Sequence, residues 1–113
     1  MKQINIAIVG LGQIGNYLYN ELLTKKKDIE IKTGKKIQIV AISAKNKNKK
    51  RKFKINKKIF YKNPLDIIKD KKTDVLIEAI GFADGLSKKI VENALENKIH
   101  VITPNKALIS KPW

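Results

Sequence analysis

Hydrophobic residues along this 113-residue chain change their period several times. INIAIV at 4–9 is an unbroken apolar run rich in β-branched side chains and closed by Gly10, which predicts a buried strand. Beyond Gly12 the spacing lengthens: Ile14, Leu18 and Leu22 recur every four residues with Tyr17 beside them, predicting a helix to about Thr24 with these side chains on its apolar stripe. KKKDIEIKTGKK at 25–36 is charged and contains Gly34, so it reads as a helix end and an exposed connection. IQIVAIS at 37–43 is a second buried strand. The basic segment that follows has Phe53, Ile55, Ile59 and Phe60 scattered through it and allows a short strand near 58–61. Asn63-Pro64 is a helix start, Asn capping and Pro at the first position, and PLDIIKDKK supplies about two turns. VLIEAI at 75–80 is a strand ending at Gly81. From Asp84 a helix carries Leu86, Ile90, Val91, Ala94 and Leu95 on one face, KIHVI at 98–102 is the last strand, and TPNKAL follows it.

Strands alternating with helices at this spacing predict βαβ units, right-handed crossovers and a mostly parallel sheet covered on both faces, all within one domain. No internal repeat interrupts the pattern.

Composition narrows the chemistry. There is no cysteine and a single His100, which excludes disulfides, thiolate metal sites and any metal cluster built on histidine. No segment has the roughly 18 apolar residues of a membrane-spanning helix. The N-terminal apolar run is short and leads into a glycine turn, not a cleavage site. A cytoplasmic protein is expected, without a membrane partner. The formal charge of +15 is unevenly placed, with ten basic residues and no acid between Lys45 and Lys62. Such a block suits phosphate-bearing partners, whether a nucleotide, a nucleic acid or an anionic surface, and equally a solvated loop.

GLGQIG places Gly10, Gly12 and Gly15 directly after a strand and at the opening of a helix, with Gln13 and Ile14 between them. In that context the first glycine permits the tight turn, the second lets the backbone approach a pyrophosphate, and the third lets helix and strand pack closely. The helix N-terminus then meets the phosphates with unpaired N–H groups. At the end of the second strand an NAD site has an acid for the ribose hydroxyls. Here Ser43 and Ala44 stand there instead, followed by Lys45, Lys47, Lys49, Lys50 and Arg51. The missing carboxylate and the nearby cations favour NADP(H) over NAD(H), with Lys45 first and Lys47 second as contacts to the 2′-phosphate. Glu78 and Gly81 end the strand at 75–80 on the same rim: Gly81 lets a cofactor approach, and Glu78 is either buried and hydrogen-bonded or faces the cleft. Thr103, Pro104, Asn105 and Lys106 end the last strand there too. Lys106 can donate to a carbonyl oxygen or hold a carboxylate, and Thr103 and Asn105 are neutral hydrogen-bonding groups. On its spacing alone Lys106 is also a surface lysine at a helix start.

INIAIVGLGQIGNYLYNELL, IQIVAISAKNKNKK, DVLIEAIG and above all ALENKIHVITPNKALIS resemble, in order and spacing over nearly the whole chain, the amino-terminal nucleotide-binding domain of homoserine dehydrogenases. The resemblance implies a Rossmann-like doubly wound sheet and an NAD(P)-dependent interconversion of aspartate 4-semialdehyde and homoserine, on the route to threonine and methionine. It assigns Lys106 to the active site between cofactor and substrate, the Pro104 backbone to the neighbourhood of the nicotinamide, the three glycines to the pyrophosphate and Ile14 to the flank of the cofactor. In the family the chain continues past this motif into a substrate-binding and dimerising domain and returns to complete the nucleotide fold, whereas here SKPW stands at the end. The expectation is therefore an incomplete C-terminal side, a cofactor-binding part inactive alone, and a homo-oligomeric full-length enzyme with a small amino-acid substrate. Two alternatives from other classes are a basic nucleic-acid-binding module built on 45–62 and a stand-alone nucleotide-sensing domain. The first lacks a recognition motif.

Overall fold

The computed structural model describes residues 2–80 and 85–103. Its strands are β1 (Gln3–Val9), β2 (Lys36–Ser43), β3 (Phe60–Tyr61), β4 (Val75–Glu78) and β5 (His100–Ile102), and its helices are α1 (Gln13–Thr24), α2 (Lys26–Thr33), α3 (Pro64–Lys69) and α4 (Gly85–Glu96). A 3-10 turn at Lys57–Ile59 precedes β3. The strands lie in the order β3-β2-β1-β4-β5, every neighbouring pair parallel. This is the α/β, doubly wound, Rossmann-like sheet expected.

The apolar strands serve two cores because successive side chains point to opposite faces. Ala7 and Val9 of β1 face α3 and α4, packing with Ile67, Ile68, Ile90 and Ala94. Ile6 and Ile8 face the other way, toward Leu11 and Tyr19 of the first βα unit and Ile37, Ile39 and Ile42 of β2. A bulge adjusts the register: Ile6 pairs with Ile39 but Ala7 with Ala41, so Val40 is the extra residue. The shift brings Ser43 level with Val9 at the carboxyl ends of the two strands. The Gly10 N–H then donates to the Ser43 carbonyl at 2.7 Å.

Asn63 caps α3 through its side-chain oxygen, which accepts from the Leu65 N–H, with Pro64 at the first turn. The short strand in the basic segment is also present, as β3.

Four expectations need correction. Residues 26–33 form α2 rather than an exposed connection. This helix buries no residue, so it carries no apolar stripe to read. It is held by Ile29, which packs against the β1–β2 core, by the Glu30 carboxylate, which accepts from the Ile37 N–H at 3.1 Å, and by Gly34, which takes φ 68° and closes the helix with an N–H bond to the Glu30 carbonyl. On α1 the buried residues are Gly15, Asn16 and Tyr19, while Ile14 and Tyr17 are about half exposed, at 56% and 53%. On α4, Ile90, Val91 and Ala94 are buried as expected, whereas Leu86 and Leu95 face outward and Ser87 takes an inner position. Finally β4 ends at Glu78, because its own carboxyl group takes the Ile80 N–H, and β5 begins at His100. Lys98 adopts φ 61°, with Lys98 N–H bonded to the Leu95 carbonyl and Ile99 N–H to the Ala94 carbonyl, which terminates α4 just ahead of the strand.

Candidate functional site

β1 and β4 are neighbours whose following helices leave toward opposite faces of the sheet, α1 to one and α4 to the other. Their carboxyl ends therefore flank a crevice, the position at which open α/β sheets bind ligands. Gly10 and Gly15 are required there by the protein itself. Gly10 has φ 95°, and a Cβ on it would lie 2.7 Å from the Ala79 carbonyl carbon. A Cβ on Gly15 would lie 1.8 Å from the Gly10 oxygen, so the helix could not approach the turn.

Gly12 differs. Its φ of −70° suits any residue, and a Cβ there would meet nothing within 4 Å. Neither strain nor packing accounts for a glycine at this position. The adjacent α1 terminus has no side-chain cap and no acidic residue in its first turn, leaving N–H groups and the positive end of the helix dipole facing solvent beside the exposed Gln13 and Ile14. Open space before Gly12 next to an uncapped helix start is the geometry that accepts a phosphate group.

On the β2 side, Ser43 is buried, and its carbonyl is engaged by Gly10. Lys45 and Lys47 are exposed just beyond it, and the Lys47 ammonium lies 5.9 Å from the Phe60 ring centre. The segment behind them is docked rather than loose. Asn16 of α1, only 4% exposed, donates to the Phe53 carbonyl and accepts from the Phe53 N–H, both at 2.9 Å. The Tyr19 hydroxyl accepts from the Asn56 N–H at 3.0 Å. Arg51 reaches across to the Leu11 carbonyl through Nε at 3.1 Å. Between this segment and α1 lies a cleft of about 540 Å³, floored by Leu11, Ile14, Tyr17 and Phe53 and rimmed by Lys49, Lys50 and Lys52. It shares Gly12 to Ile14 with the turn and continues along α1 past Asn16 to Leu18.

Asn16, Tyr19 and Arg51 escaped the pattern of the sequence. Asn16 and Tyr19 find their partners 37 residues away, which periodicity cannot register. Arg51 did carry a signal, being the single arginine among 24 lysines.

On the β4 side Glu78 is fully buried and hydrogen-bonded. Its Oε1 accepts from the Ile80 N–H at 2.7 Å and its Oε2 from the Thr103 hydroxyl at 2.6 Å. Thr103, half-buried, thus stands at the end of β5 joined to the end of β4. Gly81, Pro104, Asn105 and Lys106 lie outside the described residues. Among the described residues no group of His, Asp and Glu is arranged to hold a metal ion, and no helix is long and apolar enough to cross a membrane.

A family model described as "Homoserine dehydrogenase, NAD binding domain" matches residues 10–112. Homoserine dehydrogenase of Neisseria gonorrhoeae is 32% identical over 111 residues, covering 98% of this chain and 25% of that protein. That of Bacillus subtilis is 30% identical over 110 residues, with coverages of 97% and 25%. A crystal structure of Staphylococcus aureus homoserine dehydrogenase at pH 7.5 superposes with a TM-score of 0.85 at 31% identity over 93% of this chain and 27% of that one. The homoserine dehydrogenase of Thiobacillus denitrificans gives a TM-score of 0.82 at 27% identity over 97% and 25%. The chain spans about a quarter of the length of the relatives it matches. With the glycine turn, the parallel sheet and these likenesses in agreement, the chain belongs to the family of homoserine dehydrogenase NAD-binding domains.

Proposed function

We propose that this chain is the nicotinamide-dinucleotide-binding part of a homoserine dehydrogenase, with NADP(H) preferred over NAD(H). The observation that carries the proposal is Gly12, a glycine that the protein's own backbone and packing do not need, set at an uncapped helix start where a pyrophosphate would sit. Gln13, Ile14 and Gly15 would present the first-turn N–H groups to its oxygens. Ser43 and Lys45 would border the adenosine ribose, and the cations at Lys45 and Lys47 with no nearby acid favour the 2′-phosphate.

When bound, the nicotinamide would supply the redox chemistry, a hydride going to aspartate 4-semialdehyde in one direction and coming from homoserine in the other. The chain's own task is to hold that ring at the carboxyl ends of β4 and β5. Pro104 is assigned to this border and Lys106 to the substrate side by their match to the family motif TPNKAL, and Gly81, Thr103 and Asn105 to the border by their places in the sequence just past the two strands. Thr103 is well suited to set that border because the buried Glu78 fixes it. A dehydrogenase step requires substrate and cofactor positioned together. The 113 residues by themselves are accordingly expected to bind dinucleotide without turning over homoserine, the whole reaction and any homo-oligomer belonging to a longer enzyme. A cytoplasmic location fits such a biosynthetic role.

Fluorescence titration of the protein with NADPH and NADH tests this, using Gly12→Ser as the comparison. Serine is a better helix cap than glycine, so the fold should be retained while its side chain fills the phosphate seat. NADPH affinity should fall at least tenfold with the unfolding midpoint unchanged or raised. Undiminished binding by Gly12→Ser would remove the basis of the proposal.

A further inference from the structure

Arg51 binds no carboxylate among the described residues; its guanidinium is spent on backbone carbonyls. Nε donates to Leu11 in the glycine turn at 3.1 Å. The two terminal nitrogens donate to Asn46 at 2.6 Å, Lys49 at 3.0 Å and, at the limit of range, Lys47 at 3.4 Å. Three acceptors belong to the loop that follows β2, and the fourth lies 40 residues earlier in the chain. Together with the bond from Gly10 N–H to the Ser43 carbonyl, they close a ring that runs from the end of β2 to the glycine turn, through Arg51, and back to the loop.

The chemistry of the side chain matters here. A guanidinium offers five N–H donors in a planar fork, whereas an ammonium is a compact point charge with three. In a chain that uses lysine 24 times, the single arginine stands at a position where several carbonyls in different directions are held at once. The loop would otherwise resist a fixed shape, since Lys45, Lys47, Lys49 and Lys50 repel one another with no acid among them. With its carbonyls gathered on Arg51, these lysine side chains are left exposed on the outer side.

We infer that Arg51 is the positioning residue of cofactor selectivity: it clamps the β2 loop to the glycine turn so that Lys45 and Lys47 present a fixed cationic seat to the 2′-phosphate of NADP(H). This deepens the proposed function and rests on its preference for NADP(H). Arg51 acts through the loop and does not itself touch the phosphate. It therefore governs the discrimination between NADPH and NADH rather than dinucleotide binding as such.

The test is a set of NADPH and NADH dissociation constants for the wild type, Arg51→Gln, Arg51→Lys, Lys45→Gln/Lys47→Gln and the triple variant, with NADH affinity reporting an intact fold. The wild type should prefer NADPH at least tenfold. Arg51→Gln and Arg51→Lys should both reduce that ratio to within about threefold of unity while NADH affinity changes less than twofold, because restoring the charge without the fork does not rebuild the clamp. In the Lys45→Gln/Lys47→Gln background, Arg51→Gln should add nothing further. Retention of the preference by Arg51→Lys, or a full additional loss in the triple variant, would mean direct action of the Arg51 charge and overturns the inference alone. Loss of NADH affinity in step with NADPH would assign Arg51 a general structural role and also overturns it. A wild-type ratio near one would instead overturn the NADP(H) preference itself, and the inference with it.

Discussion

The carboxyl group of Glu78, fully buried at the end of β4, holds the hydroxyl of Thr103 beyond the end of β5 at 2.6 Å. Its other oxygen takes the Ile80 N–H, so one side chain secures the exits of two neighbouring strands. Glu78→Ala leaves both donors without that partner and opens a void, and should cost on the order of 3 kcal/mol in urea unfolding. Thr103→Val keeps the shape and removes one donor, for about 1–2 kcal/mol. The two losses should be clearly non-additive in the double variant, as for any directly bonded pair. Additive losses would show that the hydrogen bond does not couple the strands.

The three glycines of the turn should separate by consequence. Gly15→Ala drives a Cβ to 1.8 Å from the Gly10 oxygen, and Gly10→Ala meets the Ala79 carbonyl at φ 95°. Both involve rigid backbone, and each should destabilise by roughly 3 kcal/mol or more. Gly12→Ser should not destabilise at all. Thermal melts of the three variants without ligand would check the order, and equal damage at Gly12 would contradict the open space seen before it.

Lys98 occupies the left-handed region, φ 61°, at the end of α4, where glycine is the usual residue. Its peptide N–H and that of Ile99 already close the helix. Lys98→Gly relieves the steric cost of the side chain and keeps both bonds, so stability should rise by about 0.5–1 kcal/mol. A lower melting temperature would indicate that the lysine contributes more than its backbone costs.

Tyr61 of β3 donates its hydroxyl hydrogen bond to Asp70, just after α3. That bond, aided by burial and by the negative charge of Asp70, raises the Tyr61 pKa above its ordinary value. The folded state thus retains the phenolic proton more firmly than the unfolded chain. The resulting stabilisation is complete below the unfolded pKa of about 10 and disappears as pH rises through the higher folded value. Tyr61→Phe should accordingly be less stable than wild type at pH 8, with the gap narrowing as pH passes 10 and above. Melting curves of the two proteins between pH 8 and 11 provide the comparison, and a constant gap would exclude the linkage.

The parts of this fold readable from sequence are those where one physical demand acts alone. INIAIV has to be buried on both faces, and Gly10 and Gly15 meet steric limits that no other residue satisfies. Asn63-Pro64 caps α3 using neighbours only two residues away. Long-range pairing defeats the same reasoning. A helical wheel draws Ile14 and Tyr17 inward, yet the inner face of α1 is taken by Asn16 and Tyr19, whose polar groups are answered by the backbone of 53–56. α2 buries no residue fully and touches the core only through the partly buried Ile29, too little to mark an apolar stripe. Arg51 stands out in its basic run as the single arginine, but its residue type does not name the four carbonyl acceptors that explain it.

That docking makes a last prediction about the basic segment. Asn16 pairs with both the N–H and the carbonyl of Phe53 in a nearly buried setting, an arrangement that an apolar side chain of similar size cannot reproduce. Asn16→Leu leaves two backbone groups without that partner and should cost about 2–3 kcal/mol. The loss falls first on the attachment of the segment, which meets the β1–β2 core through the partly buried Ile55, Ile59 and Phe60. The buried residues of both cores other than Leu11, Tyr19 and Ile99 come from the sheet and from α3 and α4. The basic segment contains many lysines exposed to trypsin, and cleavage there reports how often it detaches. Limited trypsinolysis followed by mass spectrometry should therefore find faster cutting between Lys45 and Lys58 in Asn16→Leu, while sites on α2 are cut at the wild-type rate. Uniform acceleration would mean that Asn16 stabilises the whole domain, and unchanged cutting would mean that Arg51 and Tyr19 hold the segment without it.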